Sequence, residues 1–479
     1  MVAVLTSGCT TGDSEANADA GSGSADSGSG STGGSSSATP TGTSGGGPGS
    51  GSAGTESPTT GQDTEGAEGS TANETGDTAS ESGGESSSGG ERLPPDDTPG
   101  ELSFETPSEI EGGWYQYYQG SVQYRPSGEV FAVAVGGGVT HVVNDSSSSS
   151  NPVVYRSDAE GAWAGNGNVT DPDFDYVPRS LAISLDTDLL PSIGVGGIHY
   201  VNYPSSISSA HAYSYDGYLW NFDHPAASMS GPAPRSLEMV VDNDNRRHVL
   251  FVGRWEGNDD TLIYASADEA GWVLEPVATE HYVTSLTQKS CALAVDPAGD
   301  VHVVYSRDNP AAQGNESDTV ISYARRSGDA AWEVELVEDY LIVRDRVDIA
   351  VGPDGTPHIV MAEDMFSAIW HTSPVDGAWE AEVVDDVGDV GWGHAIAVDD
   401  FGRPHLSYVD RQLQQIRYAR RISSGWDRYA PTESFPDSAG GGGCGYCRTD
   451  IATDLGLDGT QPVIVVGGFD LSVVRARLD

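Results

Sequence analysis

The stretch Ala292-Leu-Ala-Val-Asp-Pro-Ala-Gly-Asp-Val-His302-Val-Val-Tyr305, followed by Ile321-Ser-Tyr-Ala-Arg-Arg326 and Trp332-Glu-Val-Glu-Leu-Val337, decides the fold. Its runs alternate in hydropathy and favour β-branched and aromatic residues, the pattern of strands set in a sheet. Between the first two runs, Asp296 and Gly299 supply hairpin chemistry. The carboxylate accepts local backbone bonds, and the glycine takes a positive φ. Trp332 opens a fourth run.

The unit recurs. A second copy reads Ala395-Ile-Ala-Val-Asp-Asp-Phe-Gly-Arg-Pro-His405-Leu-Ser-Tyr408, then Ile416-Arg-Tyr-Ala-Arg-Arg421, then Trp426. Another spans Ile349 to Met361 around His358, with Ala368-Ile-Trp-His371 and Trp379. An earlier one spans Met239 to Phe251 around His248, with Leu262-Ile-Tyr-Ala265 and Trp272. Weaker copies begin near Val130 (His141, Tyr155, Trp163) and Leu181 (Ile193, Tyr213, Trp220). No stretch shows a helical period. Four antiparallel strands repeating about every 50 residues, each sheet burying its faces on its neighbours, make the blade of a β-propeller.

The tryptophans opening each fourth strand count the blades: Trp114, Trp163, Trp220, Trp272, Trp332, Trp379 and Trp426. Trp114, in Gly113-Trp-Tyr-Gln-Tyr-Tyr118, has no blade before it. The last copy (Asp450-Ile-Ala-Thr-Asp454, Pro462-Val-Ile-Val-Val466, Leu471-Ser-Val-Val-Arg475) ends at Asp479 without a fourth strand. An amino-terminal strand at Trp114 is therefore expected to complete the carboxy-terminal blade and close a seven-bladed, all-β ring over residues 102–479.

These units resemble a family of bacterial propeller repeats of the form Ser-Ile-Ala-Leu-Asp-x-x-Gly-x-Pro-His-Ile-Ser-Tyr-x-Asp, then Leu-x-Tyr-Ala, then Trp. The stretch Val384-Asp-Asp-Val-Gly-Asp-Val-Gly-Trp392 is similar to that family's linker. The resemblance covers about 130–479 and implies the fold; propellers host many activities, so it implies no particular one.

The chain before residue 102 is of another kind. Residues 10–101 are nearly all Gly, Ser, Thr, Ala, Asp and Glu, and every aromatic residue lies after them. Such a composition cannot offset its chain entropy by burial and is expected to stay disordered, as a linker with a span of roughly 50–60 Å. Ahead of it, Met1-Val-Ala-Val-Leu-Thr-Ser-Gly-Cys9 resembles the end of a bacterial lipoprotein signal, which implies lipidation at Cys9. Thr6 stands where that pattern prefers an aliphatic residue, and residues 1–9 lack the charged start and full apolar run of a complete signal. The Gly/Ser/Thr/Glu spacer after the cysteine resembles surface lipoproteins of gliding and predatory bacteria. The expectation is an exported protein at the outer membrane or cell surface, meeting the membrane through its lipid anchor alone.

The formal charge is −49, about −14 of it in the first hundred residues and about −35 in the rest. A field of that sign repels phosphates, which excludes nucleic acid as a general partner. Cys444 and Cys447, in Cys-Gly-Tyr-Cys, are expected to form a small disulfide within a glycine loop, consistent with export. No four-ligand set for zinc exists, no cofactor is called for, and nothing supports calcium. Cys291 is expected to be a buried thiol.

The recurring histidines, His141, His248, His302, His358 and His405, would stand around a ring rather than converge, each bonding backbone or the turn aspartate. A less regular feature lies at the entrances to the innermost strands, where Arg179, Arg235, Lys289, Arg346 and Arg448 fall. The loops after each second strand open on the same face and carry Arg254, Arg307, Asp308, Asp364, Asp410 and Arg411. Two readings stand. One is a site for an anionic group such as a uronate, a sialic acid carboxylate or a sulfated glycan. The other is charge pairing with Asp345, Asp348 and Asp450. The functional classes follow: a non-catalytic module binding an anionic glycan or another envelope protein, or a glycoside hydrolase of sialidase type, whose Ser-x-Asp-x-Gly-x-Thr-Trp boxes this sequence lacks.

Overall fold

The computed structural model describes residues 102–111 and, with interruptions, 130–478; the stretches 1–101, 112–129 and 433–451 are among those outside the described residues. Two short strands, β1 (Leu102–Phe104) and β2 (Ser108–Glu111), precede the repeats. Blade one is β3 (Phe131–Gly136), β4 (Val139–Asp145), β5 (Val153–Ser157) and β6 (Ala164–Asn168). Blade two is β7 (Val177–Leu185), β8 (Pro191–Asn202), β9 (Ser205–Tyr215) and β10 (Trp220–Met229). Blade three is β11 (Leu237–Val241), β12 (Arg247–Trp255), β13 (Asn258–Asp268) and β14 (Gly271–Ala278). Blade four is β15 (Cys291–Val295), β16 (Val301–Asp308), β17 (Thr319–Arg326) and β18 (Glu333–Glu338). Blade five is β19 (Val343–Val351), β20 (Pro357–Glu363), β21 (Ala368–Val375) and β22 (Ala378–Asp385). Blade six is β23 (Trp392–Val398), β24 (Pro404–Asp410), β25 (Gln415–Ile422) and β26 (Gly425–Tyr429). Blade seven is β27 (Ala452–Asp458), β28 (Gln461–Gly467) and β29 (Leu471–Leu478), with β1 and β2 on its outer edge.

The chain is thus a seven-bladed β-propeller. Strands within a blade pair antiparallel in sequence order, and the innermost strands lie side by side around the ring until β27 meets β3. Closure comes from the amino-terminal side, as expected, but not at Trp114. Leu102 pairs with Leu478, Phe104 with Ala476 and Ser108 with Val473, while Trp114 lies outside the described residues.

Packing explains why three residues suffice. A third-strand aromatic of one blade meets the fourth-strand tryptophan of the next, edge to face. Tyr155 meets Trp220 at 5.5 Å between ring centroids, Tyr264 meets Trp332 at 5.3 Å, Tyr323 meets Trp379 at 5.0 Å, and His371 meets Trp426 at 5.3 Å. At the closing seam Tyr418 meets Phe104 at 5.7 Å. Phe104 therefore stands where the other blades carry tryptophan. The surroundings change with it. Trp332 and Trp379 donate their indole N–H to Glu275 and Glu335 of the preceding blade, at 2.9 and 3.1 Å. Phenylalanine has nothing to donate, and its neighbour on the preceding blade is the ring of Tyr429, 5.8 Å away.

The core lies between blades. One cluster joins Leu250, Leu262 and Tyr264 of blade three to Leu293, Val303 and Tyr305 of blade four; another holds Leu102 among residues of blades six and seven. Cys291 is fully buried, with its Sγ 3.2 Å from Ser236 Oγ.

Candidate functional site

Each innermost strand leaves its hairpin at one end of the ring, here the turn end, and begins at the other, the loop end. At the turn end the repeated aspartates work as the sequence suggests. Asp296 Oδ1 accepts the N–H groups of Ala298 and Asp300 at 2.9 and 2.8 Å, and Asp399 Oδ1 accepts those of Phe401 and Arg403 at 3.0 and 2.9 Å. Gly299 follows at φ 86° and Gly402 at φ 76°, a region that only glycine enters without strain.

The ring histidines are tied into this end. Burial holds His141, His248, His302 and His405 below the usual imidazole range, so each is neutral near pH 7. His248 Nε2 donates to Asp242 at 3.0 Å and His405 Nε2 to Asp399 at 3.2 Å, while His302 Nε2 faces Asp296 at 3.4 Å. That tautomer leaves Nδ1 as acceptor for a tyrosine hydroxyl: Tyr264 to His248 at 2.5 Å, Tyr323 to His302 and Tyr418 to His405 at 2.6 Å. Tyr155 and His141 meet at 2.6 Å in blade one. The tyrosine is the partner that sequence reasoning missed. Burial works to raise the Asp399 carboxyl, but hydrogen bonds from His405 and Arg403 outweigh it and hold the group at about 2.

Blade five departs from the pattern. Gly352 replaces the turn aspartate and His371 replaces the tyrosine, so His358 Nδ1 meets His371 Nε2 at 3.0 Å. His371 Nδ1 lies 3.3 Å from Glu382, which also meets Arg421 Nε of blade six at 3.1 Å. Burial and the facing imidazole push His358 down to about 4. No group of three or more His, Cys, Asp or Glu residues able to hold a metal occurs among the described residues.

Inside the ring the innermost strands enclose a cavity of about 210 Å³. Its polar lining stitches neighbouring blades. Asp454 accepts the N–H of Val133 at 2.8 Å, Asp348 that of Ile396 at 3.3 Å, and Thr453 donates to the carbonyl of Gly393 at 2.7 Å. Asp348 thus holds backbone across the blade five–six seam.

Five of the cations named from sequence fall at the loop end. Arg179 is the third residue of β7 and Arg346 the fourth of β19, so both enter at this end. Arg254 and Arg307 lie near the ends of β12 and β16, and Arg411 follows β24, at the same end by the antiparallel register. Arg254 is exposed, and Arg307 Nε donates to Ser322 at 2.9 Å. Asp308 pairs with Thr319 through its backbone. Arg235, Lys289, Asp364, Arg448, Cys444, Cys447 and Cys9 lie outside the described residues, as do the side chains of Arg179, Arg346 and Asp308.

Asp410 differs from the flanking carboxylate the sequence suggests. It is fully buried, accepts the N–H groups of Gln412 and Leu413 at 3.0 Å each, and pairs with Arg417 at 3.0 Å. Its negative charge is used to close a tight connection.

No family model matches the chain, and no curated protein matches it. Among solved structures, it is similar to AofleA from Arthrobotrys oligospora (11% identity over 68% of this chain and 90% of that one, TM-score 0.41). It is also similar to a protein of unknown function from Dyadobacter fermentans (12%, 79% and 99%, TM-score 0.41) and to YCF48 from Cyanidioschyzon merolae (11%, 73% and 95%, TM-score 0.42). No residue role is carried over from any of them.

Proposed function

We propose that this chain is a non-catalytic binding module, exported and held at the cell surface through Cys9, whose loop end takes the anionic group of a glycan. The observation that carries the reading is the placement of Arg179, Arg254, Arg307, Arg346 and Arg411 at one end of a ring in a chain of charge −49. Positive groups gathered within a repelling field act on a ligand that carries its own negative charge and enough neutral surface to approach. A saccharide with one acid per ring has that composition. A sialidase-type hydrolase is the competing outcome.

The test is a glycan-array screen of the full chain, run beside hydrolysis assays on fluorogenic sialosides and uronides. Binding to uronate, sialylated or sulfated glycans without turnover is expected, weakening as salt rises because the contacts are charged. Turnover would replace the binding reading with the hydrolase. A chain carrying Arg179→Ala, Arg235→Ala and Arg346→Ala that still binds acidic glycans as wild type does would remove the cationic site.

A further inference from the structure

The outer strand of a blade leaves one edge of backbone groups unpaired, and proteins blunt such edges with proline, short strands or burial. Most blades here do so. β6 holds Gly165 and Gly167, β10 and β14 carry Pro225 and Pro276, and blade seven ends on the short pieces β1 and β2. β22 sinks into the core at Val384, and β26 is half-buried except at Arg428. β18 differs. Among the described residues it pairs only with β17, it has no proline or glycine, and Glu333, Val334, Glu335 and Leu336 are exposed in succession. Its two faces are unlike. Trp332, just before the strand, meets Tyr264 and Glu275 of blade three, so Val334 and Leu336, on the same alternation, face that blade at 50% and 48% exposure. Val273 of β14, two residues from Glu275, lies on the facing wall of the seam and is 52% exposed. Glu333 and Glu335 point the other way, toward blade five, where Glu335 accepts the Trp379 N–H.

We infer that the outer edge of β18 is a docking site for an extended polypeptide strand whose side chains alternate between basic and aliphatic. The added strand pairs its backbone with the open edge. Its aliphatic side chains continue the row of Val334 and Leu336 into the groove beside Val273, and its basic ones lie next to Glu333 and Glu335. Charge selects this occupant over a second copy. Two β18 edges brought together antiparallel would set glutamates beside glutamates, in a chain of charge −49. The same charge draws a basic partner in. The two faces of the edge select an extended conformation, because only a period of two sends basic and aliphatic residues to opposite sides. The molecule itself shows that a short added strand suffices: Leu102–Phe104, from far away in sequence, joins the outer edge of β29 through three residue pairs and the ring of Phe104.

The experiment titrates the full chain with a fluorescein-labelled octapeptide of alternating arginine and valine, following anisotropy and amide hydrogen exchange. One control peptide holds the same residues in two blocks, keeping the charge without the alternation, and another alternates glutamate with valine. Two more are the alternating arginine peptide N-methylated at its arginines or at its valines. The alternating arginine peptide is expected to bind, to weaken as salt rises and to protect amides of β18. One of the two N-methylated forms is expected to lose binding, because an added strand turns only alternate backbone groups toward its partner. The pair Val334→Lys/Leu336→Lys is expected to weaken binding about tenfold, by setting charge against the aliphatic row. Glu333→Lys is expected to weaken it about threefold, the loss of an exposed ion pair. Thermal unfolding checks that each variant is folded, with Glu333→Lys as the second test should the double variant fail to fold. Equal binding of the block or glutamate peptide, or of both N-methylated forms, overturns the site. So does wild-type affinity in Val334→Lys/Leu336→Lys, protection away from β18, or no binding of the alternating arginine peptide at all. A dimer that protects β18 without peptide overturns the basic partner in favour of a second copy.

Discussion

The turn end and the loop end of the ring share the same strands but use their side chains differently. At the turn end the polar groups are enlisted by the repeat: aspartate caps its hairpin, histidine joins aspartate to tyrosine, and tyrosine meets the next blade's tryptophan. Each unit there completes its neighbour, so a change should be felt as lost stability. At the loop end the connections vary in length and sequence, and among the described residues the one in blade six stacks an arginine on an indole. Changes there should be felt in binding. A repeated ring thus concentrates its shared supporting contacts at one end and leaves the other free to vary.

The largest effect is expected at the closing seam. Phe104→Ala removes the ring that meets Tyr418 and Tyr429 and is expected to destabilise the fold by about 2–3 kcal/mol, as for truncation of a partly buried aromatic. Chemical unfolding measures it, and binding by the remaining folded chain should not change. A comparable effect should come from acid. His358 takes a proton near pH 4 in the folded chain and near 6.5 when unfolded, so its stabilisation is complete above 6.5 and is lost as pH falls toward 4. The loss is on the order of 3 kcal/mol at most, and it is shared with His371, Glu382 and Arg421 around it. Urea unfolding at pH 7 and pH 4.5 reads it, and His371→Tyr, which restores the tyrosine of the other blades, should flatten the slope. The smallest expected effect lies at the loop end. Arg254→Ala, at an exposed position, should move stability by no more than about 0.5 kcal/mol. A larger shift would mean that the loop end also supports the ring.

Much of the scaffold was legible because it repeats. The Asp-x-x-Gly hairpins and the spaced tryptophans made the blades countable, and each tryptophan from Trp163 to Trp426 lies within one residue of the start of a fourth strand. The closing strand was misplaced because Leu102-Ser-Phe104 is short and carries no tryptophan, whereas Trp114 matched the pattern. The histidine–tyrosine bond was hidden by loop length. The two residues are 14, 16, 21 and 13 positions apart in blades one, three, four and six, because the connection between second and third strands changes size. At the candidate site the sequence located strand entrances but not the company each side chain keeps. Asp410 looked like a flanking acid, yet its place after a second strand made it a turn cap; nothing in the spacing of Trp392 and Arg411 announces that they stack.

The pairing of Leu102 with Leu478 also sets a timetable. During synthesis the first strand of the ring emerges before any blade exists, and its partner β29 emerges only after the six blades between them. Those six blades can assemble as they leave the ribosome, but the ring stays open until β29 is free to take up the waiting strand. Closure is therefore a late event in folding, and loss of β29 would leave that strand with nothing to pair with.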